Sequence, residues 1–340
     1  AVFLAGCGLP EAWAGRSHFT VAELGFGTGL NIAALLDLWQ RTAAPGAHLH
    51  IFSIEGFPLQ AEEARRALAA WPEIEGVAAT LLDGWPVATP GFHRIDLPGC
   101  RATLDLAVGE VEWALNAWSG HADAWFLDGF SPATNPDMWS PGVFDAIAAR
   151  SAPGARLATF TVAGAVRRGL SERGFDVAKR PGHGRKRERL EATLPTASRP
   201  SLPPPSVAVI GAGIAGASLA RALKVFGITA TVIETTAPGT GGSGFPAALV
   251  TPRLDAGDPV IAALGAQALD RATALYATVP GAVLARGVLQ LEQAPRDAGR
   301  FGKVAVQAFW PNGAMTTLSA GAATARLEEV VPAGGLDMRT

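Results

Sequence analysis

The sequence contains only two cysteines, Cys7 and Cys100, among its 340 residues. This scarcity excludes a scaffold held together by several disulfides and is typical of proteins from a reducing compartment, so we predict a cytoplasmic location. Long hydrophobic runs are also lacking, because glycine, proline or a charged residue interrupts each one before the roughly 18 residues that a membrane-spanning helix needs. We therefore predict no association with a membrane.

Neither sign of charge predominates, since 28 basic residues stand against 30 acidic residues and the formal net charge is −2. The chain has no global basic field, so a nucleic-acid partner would have to be held by a local basic patch. The hydrophobic content of 49% is sufficient for a large core. At about 150 residues per domain, the length predicts two domains.

A proline-rich stretch, residues 195–205, gives the clearest domain boundary. Prolines lack a backbone donor and favour extended geometry, so this stretch predicts a stiff linker between a first domain, residues 1–194, and a second, residues 206–340. Residues 1–4 (AVFL) are typical of a strand, and no closing element follows Gly334 and Gly335. We interpret the chain as a fragment at both ends.

The first domain alternates short apolar strands with apolar-periodic helices. The strands are expected at residues 19–24, 51–55, 102–106, 124–127 and 156–160, and the helices at 30–39, 62–70, 111–118 and 143–149. This alternation predicts a doubly wound α/β fold with a parallel sheet, whose ligands bind at the carboxyl ends of the strands.

A glycine turn follows the first strand and contains Glu23, Gly25, Gly27 and Gly29. Its G-x-G-x-G spacing resembles motif I of class I S-adenosylmethionine-dependent methyltransferases, in which the backbone passes so close to the cofactor that only glycine avoids a clash. Glu55, at the end of the second strand, is positioned to accept hydrogen bonds from both ribose hydroxyls. Glu110 either binds the adenine amino group or is a surface residue at the start of a helix, and both interpretations stay open.

The segment from Leu127 to Trp139 leaves a strand and enters a loop rich in turn-forming residues. Its side chains should therefore lie at the carboxyl end of the sheet. Methylation of an amine needs an aligned, unprotonated nitrogen, and Asp128 can orient that nitrogen and take its proton. Phe130 or Trp139 can stack on a flat base, or both can belong to the core.

Basic residues are concentrated between residues 164 and 200, where ten basic residues stand against four acidic ones. Within this segment, Gly182 and Gly184 allow Arg185, Lys186 and Arg187 to approach one phosphate group together. Charge runs are often only solvated faces, but this local excess predicts contact with RNA.

The second domain opens with a strand, a Gly-x-Gly-x-x-Gly turn and a helix. The residues of this dinucleotide-binding fingerprint are Gly211, Gly213, Gly216, the acidic Glu234 about 20 residues later, and Ser243 in a second glycine-rich loop. Backbone amides at the helix N-terminus can hold a pyrophosphate, and Glu234 can bind the adenosine ribose. The loop around Ser243 is similar to that of D-amino-acid-oxidase-like flavoenzymes, which favours FAD over NAD.

Several segments share a further pattern: residues 2–4 with 8–11, 19–31, 125–139, 158–170, 184–188 and the second glycine fingerprint. Together they resemble the MnmC family, bifunctional bacterial enzymes that finish 5-methylaminomethyl-2-thiouridine at the tRNA wobble position. Generic methyltransferases share only the first glycine loop. Two other segments are much more specific to the MnmC family: the one from Asp-Gly-Phe to Asn-Pro-Asp-Met-Trp, and Arg-Lys-Arg-Glu. The resemblance implies a class I methyltransferase domain followed by an incomplete FAD-binding domain of the D-amino-acid-oxidase type.

The resemblance implies two successive reactions on tRNA. The FAD-dependent domain would remove the carboxymethyl group from 5-carboxymethylaminomethyl-(2-thio)uridine by hydride transfer and imine hydrolysis. The first domain would then methylate the resulting primary amine with S-adenosylmethionine. Asp128 matches the aspartate implicated in methyl transfer. We expect tRNA as the partner, a monomer, and no metal.

Oxidoreductases of this type return to the FAD sheet late in their chains, whereas residues 206–340 number only 135. We therefore expect the chain to bind S-adenosylmethionine well and FAD poorly. Two other functions stay open: a small-molecule amine oxidase fused to a small-molecule methyltransferase, and an inactive RNA-binding scaffold.

Overall fold

The structure is a computed structural model that describes residues 2–86, 88–129, 131–184, 187–195 and 205–339. Contacts between residues divide the chain into two compact units, Ala1–Pro86 with Arg94–Ala247 and Val87–His93 with Ala248–Thr340. Most of the predicted linker lies outside the described residues. Among the helices in the described ranges, none is long and apolar enough to span a membrane.

A mixed sheet contains the five strands that the sequence predicts between residues 19 and 160. Its strands are β1 (His18–Leu24), β2 (His48–Glu55), β3 (Gly91–Leu97), β4 (Ala102–Val108), β5 (Ala122–Leu127), β6 (Ser151–Thr159), β7 (Asp176–Pro181) and β8 (Glu188–Thr193). They are arranged in the order β3-β4-β2-β1-β5-β6-β8-β7. Strands β4, β2, β1, β5 and β6 run parallel, as predicted, whereas β8 is antiparallel to both β6 and β7.

Helices precede the first strand of this sheet or connect its later strands. They are α1 (Val2–Gly6), α2 (Leu30–Thr42), α3 (Ala61–Leu68), α4 (Glu75–Asp83), α5 (Val111–Ala117), α6 (Pro141–Ala149) and α7 (Gly164–Ser171). Helix α2 buries Ile32, Leu36 and Trp39 completely, because their spacing puts them on one face. The ring of Trp39 meets that of Trp13 edge-on, with 5.0 Å between centroids. Each fully buried side chain of this kind contributes about 1.5–3 kcal/mol.

The prediction of a strand at the beginning of the chain is wrong, because Val2–Gly6 forms helix α1. This helix packs on β6, where a Cβ on Gly6 would lie 2.7 Å from the Ala158 side chain. The ring of Phe3 contacts that of Phe126, with 5.5 Å between centroids. Four apolar residues fit a strand or one face of a helix equally well, and the packing partner decides between them.

The second glycine fingerprint forms the predicted strand, turn, helix and strand. These are β9 (Val207–Ile210), α8 (Ile214–Val225) and β10 (Ala230–Ile233), and the two strands pair in parallel. No residue of α8 is buried.

The second unit has its own small core. Its elements are α9 (Pro259–Ala277), β11 (Val288–Leu291), α10 (Arg296–Ala305), β12 (Met315–Leu318), α11 (Ala320–Leu327) and β13 (Gly335–Met338). The three strands form an antiparallel sheet in the order β11-β13-β12, and α10 buries Phe301 and Val304 in the same cluster as Leu336. Helix α9 begins where Asp258 accepts hydrogen bonds from the amides of Val260 and Ile261.

Candidate active site

The acidic residues that the sequence singles out end adjacent strands of the sheet. Glu23 lies in β1, Glu55 ends β2, and Asp128 directly follows β5, while Glu110 lies two residues beyond β4. Because β4, β2, β1 and β5 are neighbours and parallel, their carboxyl ends meet at one edge. The predicted placement of these residues at one end of the sheet is therefore observed.

The first glycine turn lies against the Asp128 backbone. Gly25 has φ +92°, and a Cβ on it would be 2.9 Å from the Asp128 carbonyl oxygen. The Asp128 amide donates in turn to the Leu24 carbonyl at 3.0 Å. Gly27 has φ +52° with open space where a Cβ would be, and Gly29 has φ +74° at the start of α2. The turn therefore needs glycine for its backbone conformation and for the close approach of β5.

Glu55 accepts two backbone hydrogen bonds at this edge. The Gly27 amide donates to Oε2 at 2.9 Å, and the Phe57 amide donates to Oε1 at 2.9 Å. The ring of Phe57 is 91% exposed, and Glu110 is exposed as well. Glu55 thus bridges the glycine turn and the end of β2, with its carboxylate still accessible.

Glu23 is completely buried, unlike the other acids of this edge. Its Oε2 accepts a hydrogen bond from Ser53 Oγ at 2.7 Å, and its Oε1 accepts one from Asn31 Nδ2 at 3.1 Å. Burial raises the pKa of Glu23 to about 8, and the nearby carboxyl groups of Asp128 and Glu55 add to the rise. Its hydrogen-bond partners are protein groups, so a contact between Glu23 and a cofactor stays a prediction.

Asp128 is partly exposed at the mouth of the sheet. Its Oδ2 accepts a hydrogen bond of 2.6 Å from Asn31 Nδ2. Burial raises the pKa of Asp128 to about 6, and the hydrogen bond from Asn31 opposes this rise. Near neutral pH the Asp128 carboxyl group is mainly ionised, so it can accept a hydrogen bond or a proton from an amine.

Sequence patterns alone did not single out Asn31 or Ser53. Asn31 ends the segment 19–31 that contains the glycine turn, and the only available signal was its place in the first turn of α2. Trp139, which had two interpretations, is 8% exposed and contacts Phe144, as expected of a core residue. Phe130, Arg185 and Lys186 lie outside the described residues.

The basic segment forms α7 and the β7–β8 hairpin. Register places the start of β8 at the Asp128 edge, because Leu127 pairs with Thr159 and Thr159 pairs with Leu190. At about 4.8 Å between strands, β8 lies roughly 10 Å from β5. Arg187 immediately precedes β8 and is exposed. The carboxyl edge of the sheet therefore carries both Asp128 and the start of β8, with Arg187 directly before it.

Several basic residues of this segment are paired with acids. Lys179 pairs with Glu188, Arg180 and Arg189 both pair with Glu191, and Arg173 pairs with Asp145. Within the described ranges no such pair involves Arg167, Arg168 or Arg187, which are all exposed. Among the described residues of the segment, these three arginines carry the positive charge left for an external anion, and together they are called the arginine surface.

The second fingerprint also comes together as predicted. Glu234 accepts hydrogen bonds from the amides of Ala212 and Thr235, which lower its pKa. Ser243 Oγ accepts one from the Ile214 amide at the N-terminus of α8. A Cβ on Gly216 would be 1.9 Å from the Gly211 carbonyl oxygen, so the third glycine is required by the turn itself. Amide donors and a carboxylate at one helix N-terminus fit a dinucleotide.

Comparison with known proteins identifies both halves. Residues 72–195 match the family model described as S-adenosyl-L-methionine-dependent methyltransferase, and residues 206–339 match the one described as FAD dependent oxidoreductase. The tRNA 5-methylaminomethyl-2-thiouridine biosynthesis bifunctional protein MnmC of Caulobacter sp. (strain K31) is 60% identical over 97% of this chain. The MnmC protein of Caulobacter vibrioides is 61% identical over 98% of it. The chain belongs to the MnmC family.

The predicted membership of the MnmC family is thus confirmed. The predicted order of the folds, a methyltransferase followed by an FAD-dependent oxidoreductase, is confirmed as well. The matching models also agree with the predicted cofactors, S-adenosylmethionine and FAD. The chain spans 56% of the length of each of these two MnmC relatives. Among solved structures, the crystal structure of MNMC2 from Aquifex aeolicus is 25% identical, with 59% of this chain and 61% of that chain covered and a TM-score of 0.46.

Proposed function

We propose that this chain methylates a primary amine on the wobble uridine of tRNA, and that its second half takes part in the FAD-dependent step that produces this amine. The observation that carries the proposal is the partly exposed Asp128 carboxyl group beside the first glycine turn. The relatives' name, a tRNA 5-methylaminomethyl-2-thiouridine biosynthesis protein, supports the substrate class.

The edge of the first sheet fits a nucleoside methyl donor. Open space above Gly27 leaves room for a ligand close to the backbone, and Glu55 offers carboxylate oxygens to two ribose hydroxyls. Glu110 is exposed beyond β4, within the same row of strand ends, where it can accept from an adenine amino group. When bound, S-adenosylmethionine supplies a methyl group on a positively charged sulfur.

Asp128 acts on the nitrogen that receives the methyl group. Its ionised carboxylate accepts a hydrogen bond from the amine, which orients the nitrogen lone pair, and it takes the proton that the nitrogen must lose. With a pKa of about 6, the group is ionised at neutral pH and still basic enough to hold that proton briefly. Phe130 remains our candidate for stacking on the base.

The arginine surface supports the choice of a nucleic-acid substrate. Arg187 lies at the turn of the hairpin, and Arg167 and Arg168 lie in the helix that follows β6, all exposed. Together with Arg185 and Lys186, which directly precede Arg187 in the sequence, these residues would hold the phosphates on either side of the wobble nucleotide.

The second half has residues that suit FAD. The amides at the start of α8, with Gly211, Gly213 and Gly216, would hold the pyrophosphate, Glu234 would bind the ribose, and Ser243 lies at the same helix end. FAD held by these residues would supply a hydride acceptor for oxidation of the carbon attached to the nitrogen. Residues 1–194 and 206–340 remain our proposed domains, and a monomer in the cytoplasm remains part of the proposal.

A methylation assay tests the proposal directly. The chain is incubated with radiolabelled S-adenosylmethionine and tRNA whose wobble uridine carries an aminomethyl group, and the labelled nucleoside is identified. We expect Asp128→Ala to lower the rate roughly 100-fold, which is the usual range for losing a positioned acid–base group. Asp37→Ala, which removes a carboxylate paired with Arg41 in α2, is the matched control and should keep the wild-type rate.

Each other result contradicts the proposal in a distinct way. Label only on small amines would indicate the small-molecule methyltransferase. Retention of tRNA without any label would indicate an RNA-binding scaffold. An Asp128→Ala variant as fast as the wild type would remove Asp128 from the reaction.

A further inference from the structure

The amide of Asn31 connects two carboxyl groups at the edge of the sheet. Its Nδ2 donates to Asp128 Oδ2 at 2.6 Å and to Glu23 Oε1 at 3.1 Å. Both hydrogens of the amide nitrogen are used in these two bonds. Asn31 therefore links the residue that faces the substrate to a residue that solvent does not reach.

The buried end of this connection is fixed from another strand. Ser53 in β2 donates to Glu23 Oε2 at 2.7 Å, and both Ser53 and Glu23 are completely buried. The path from Ser53 through Glu23 and Asn31 to Asp128 thus joins β2, β1, α2 and the loop after β5. Water cannot replace the buried partners, so Asn31 is held in place from the core side.

The exposed end of the connection leaves one oxygen for a substrate. Asp128 Oδ2 is taken by Asn31, whereas Oδ1 accepts no hydrogen bond from any residue that the structure describes. Without Asn31, the carboxyl group could rotate about its side-chain torsions. With Asn31 in place, Oδ1 has a fixed direction.

We propose that Asn31 is a positioning residue for methyl transfer, which uses buried Glu23 as its anchor and holds the Asp128 carboxylate in the orientation that receives the acceptor amine. This inference rests on the proposed methylation. It assigns to Asn31 a role that acts through Asp128 and requires no contact with the tRNA.

The charges around Asp128 agree with this role. The ionisable groups that interact at this edge are all acids: Asp128 after β5 and Glu55 on β2 both raise the pKa of Glu23 on β1. Burial raises the pKa of Glu23 to about 8 and that of Asp128 to about 6, and the Asn31 amide opposes both rises. At neutral pH, Glu23 is mainly protonated and Asp128 is mainly ionised. Loss of the Asn31 donor should therefore raise the pKa of Asp128.

Two substitutions separate positioning from space filling. Asn31→Ala removes the amide, and Asn31→Asp keeps its size but replaces the double donor with an acceptor. For both we expect kcat for methyl transfer to fall about tenfold or more, with a much smaller change in the Kd of S-adenosylmethionine. We also expect the acidic limb of the pH profile to move up by about one pH unit. Asn116→Ala, an exposed asparagine in α5, is the control and should change neither quantity.

A titration of the Asp128 carboxyl carbon tests Asn31 without any activity. The protein is labelled with ¹³C-aspartate and titrated by NMR, and the Asp128 signal is identified as the one that is lost in Asp128→Asn. The apparent pKa of this signal should rise in Asn31→Ala and in Asn31→Asp. If the wild type does not methylate tRNA, the proposed function fails, whereas this titration still reports on Asn31. An unchanged titration, or an Asn31→Asp variant with wild-type kcat and pH profile, would overturn the positioning role.

Discussion

At the scale of single residues, the protonation of Glu23 should limit the stability of the protein at high pH. Burial raises the pKa of Glu23 to about 8, so between its ordinary value and pH 8 the folded state binds more protons than the unfolded state. Stability should therefore fall as the pH rises through this range, by up to about 1.4 kcal/mol per pH unit. Above pH 8 the loss from this group should level off.

Glu23→Gln should remove this dependence, because a glutamine keeps the shape of the protonated side chain and does not ionise. We expect the difference in Tm, variant minus wild type, to increase from pH 5 to pH 8 and to stay constant above pH 8. At about 2–4 °C per kcal/mol, the change is measurable by calorimetry. The exposed Glu75→Gln is the control and should show a constant difference. A Glu23→Gln difference that does not vary with pH would contradict the buried proton.

The sequence predicted the positions of the candidate site residues better than their environments. Residue type and place after a strand were enough to single out Glu55 and Asp128, because the ends of parallel strands meet at one edge. The complete burial of Glu23 could not be read in the same way. It depends on how side chains from neighbouring elements cover that position, among them Ser53 of β2, which is 30 residues away in sequence. Asn31 was missed because its contact with Asp128 joins residues 97 apart in sequence.

At the scale of elements, α7 and the hairpin turn decide where the positive charge lies. Ion pairs within the hairpin neutralise Lys179 and Arg189, so a count of basic residues overstates the charge available to RNA. The arginine surface is what remains among the described residues of the segment. A sequence count cannot separate the two sets, because pairing depends on which side chains face each other across β7 and β8.

Arg167→Glu with Arg168→Glu should therefore weaken tRNA binding and reduce its dependence on salt, while the Kd of S-adenosylmethionine stays unchanged. About one unit of salt slope should be lost per phosphate contact removed. The matched control is Arg65→Glu with Arg66→Glu, an adjacent arginine pair on α3 that gives the same change in net charge. Filter binding at several salt concentrations measures both pairs. Equal weakening by both would show a general charge effect and reject the arginine surface.

Element prediction was most reliable where the pattern was long and least reliable at the beginning of the chain. The 13-residue α2 and the alternating strands were predicted because periodicity over many residues indicates one structure. Residues 1–4 were too few for a period, and contacts with β6 and Phe126 favour the helix Val2–Gly6 that the structure shows. Helix α4 and strand β3 were not predicted at all.

At the scale of the whole molecule, the two cofactor regions differ in how much of their surroundings the chain supplies. The first sheet has a continuous core on which the glycine turn rests. In the second fingerprint, Ile210 is 87% exposed, and Ile214 and Leu219 of α8 are at least half exposed. Apolar residues of a strand and helix normally face a core, so this region is held by fewer contacts than the first.

This difference predicts unequal affinity for the two cofactors. A proposed FAD site that is not rigid must be ordered by the ligand, which lowers affinity, whereas the glycine turn proposed to bind S-adenosylmethionine already rests on a continuous core. Compared with the full-length MnmC protein of Caulobacter vibrioides, the chain should bind S-adenosylmethionine with a similar Kd and FAD at least roughly tenfold more weakly. The affinity for FAD is measured by flavin absorbance after purification and by a fluorescence titration. The affinity for S-adenosylmethionine is measured by calorimetry. Stoichiometric flavin in the purified chain, or equal loss of both affinities, would contradict this account, because the argument requires the weakness to be confined to the region around α8.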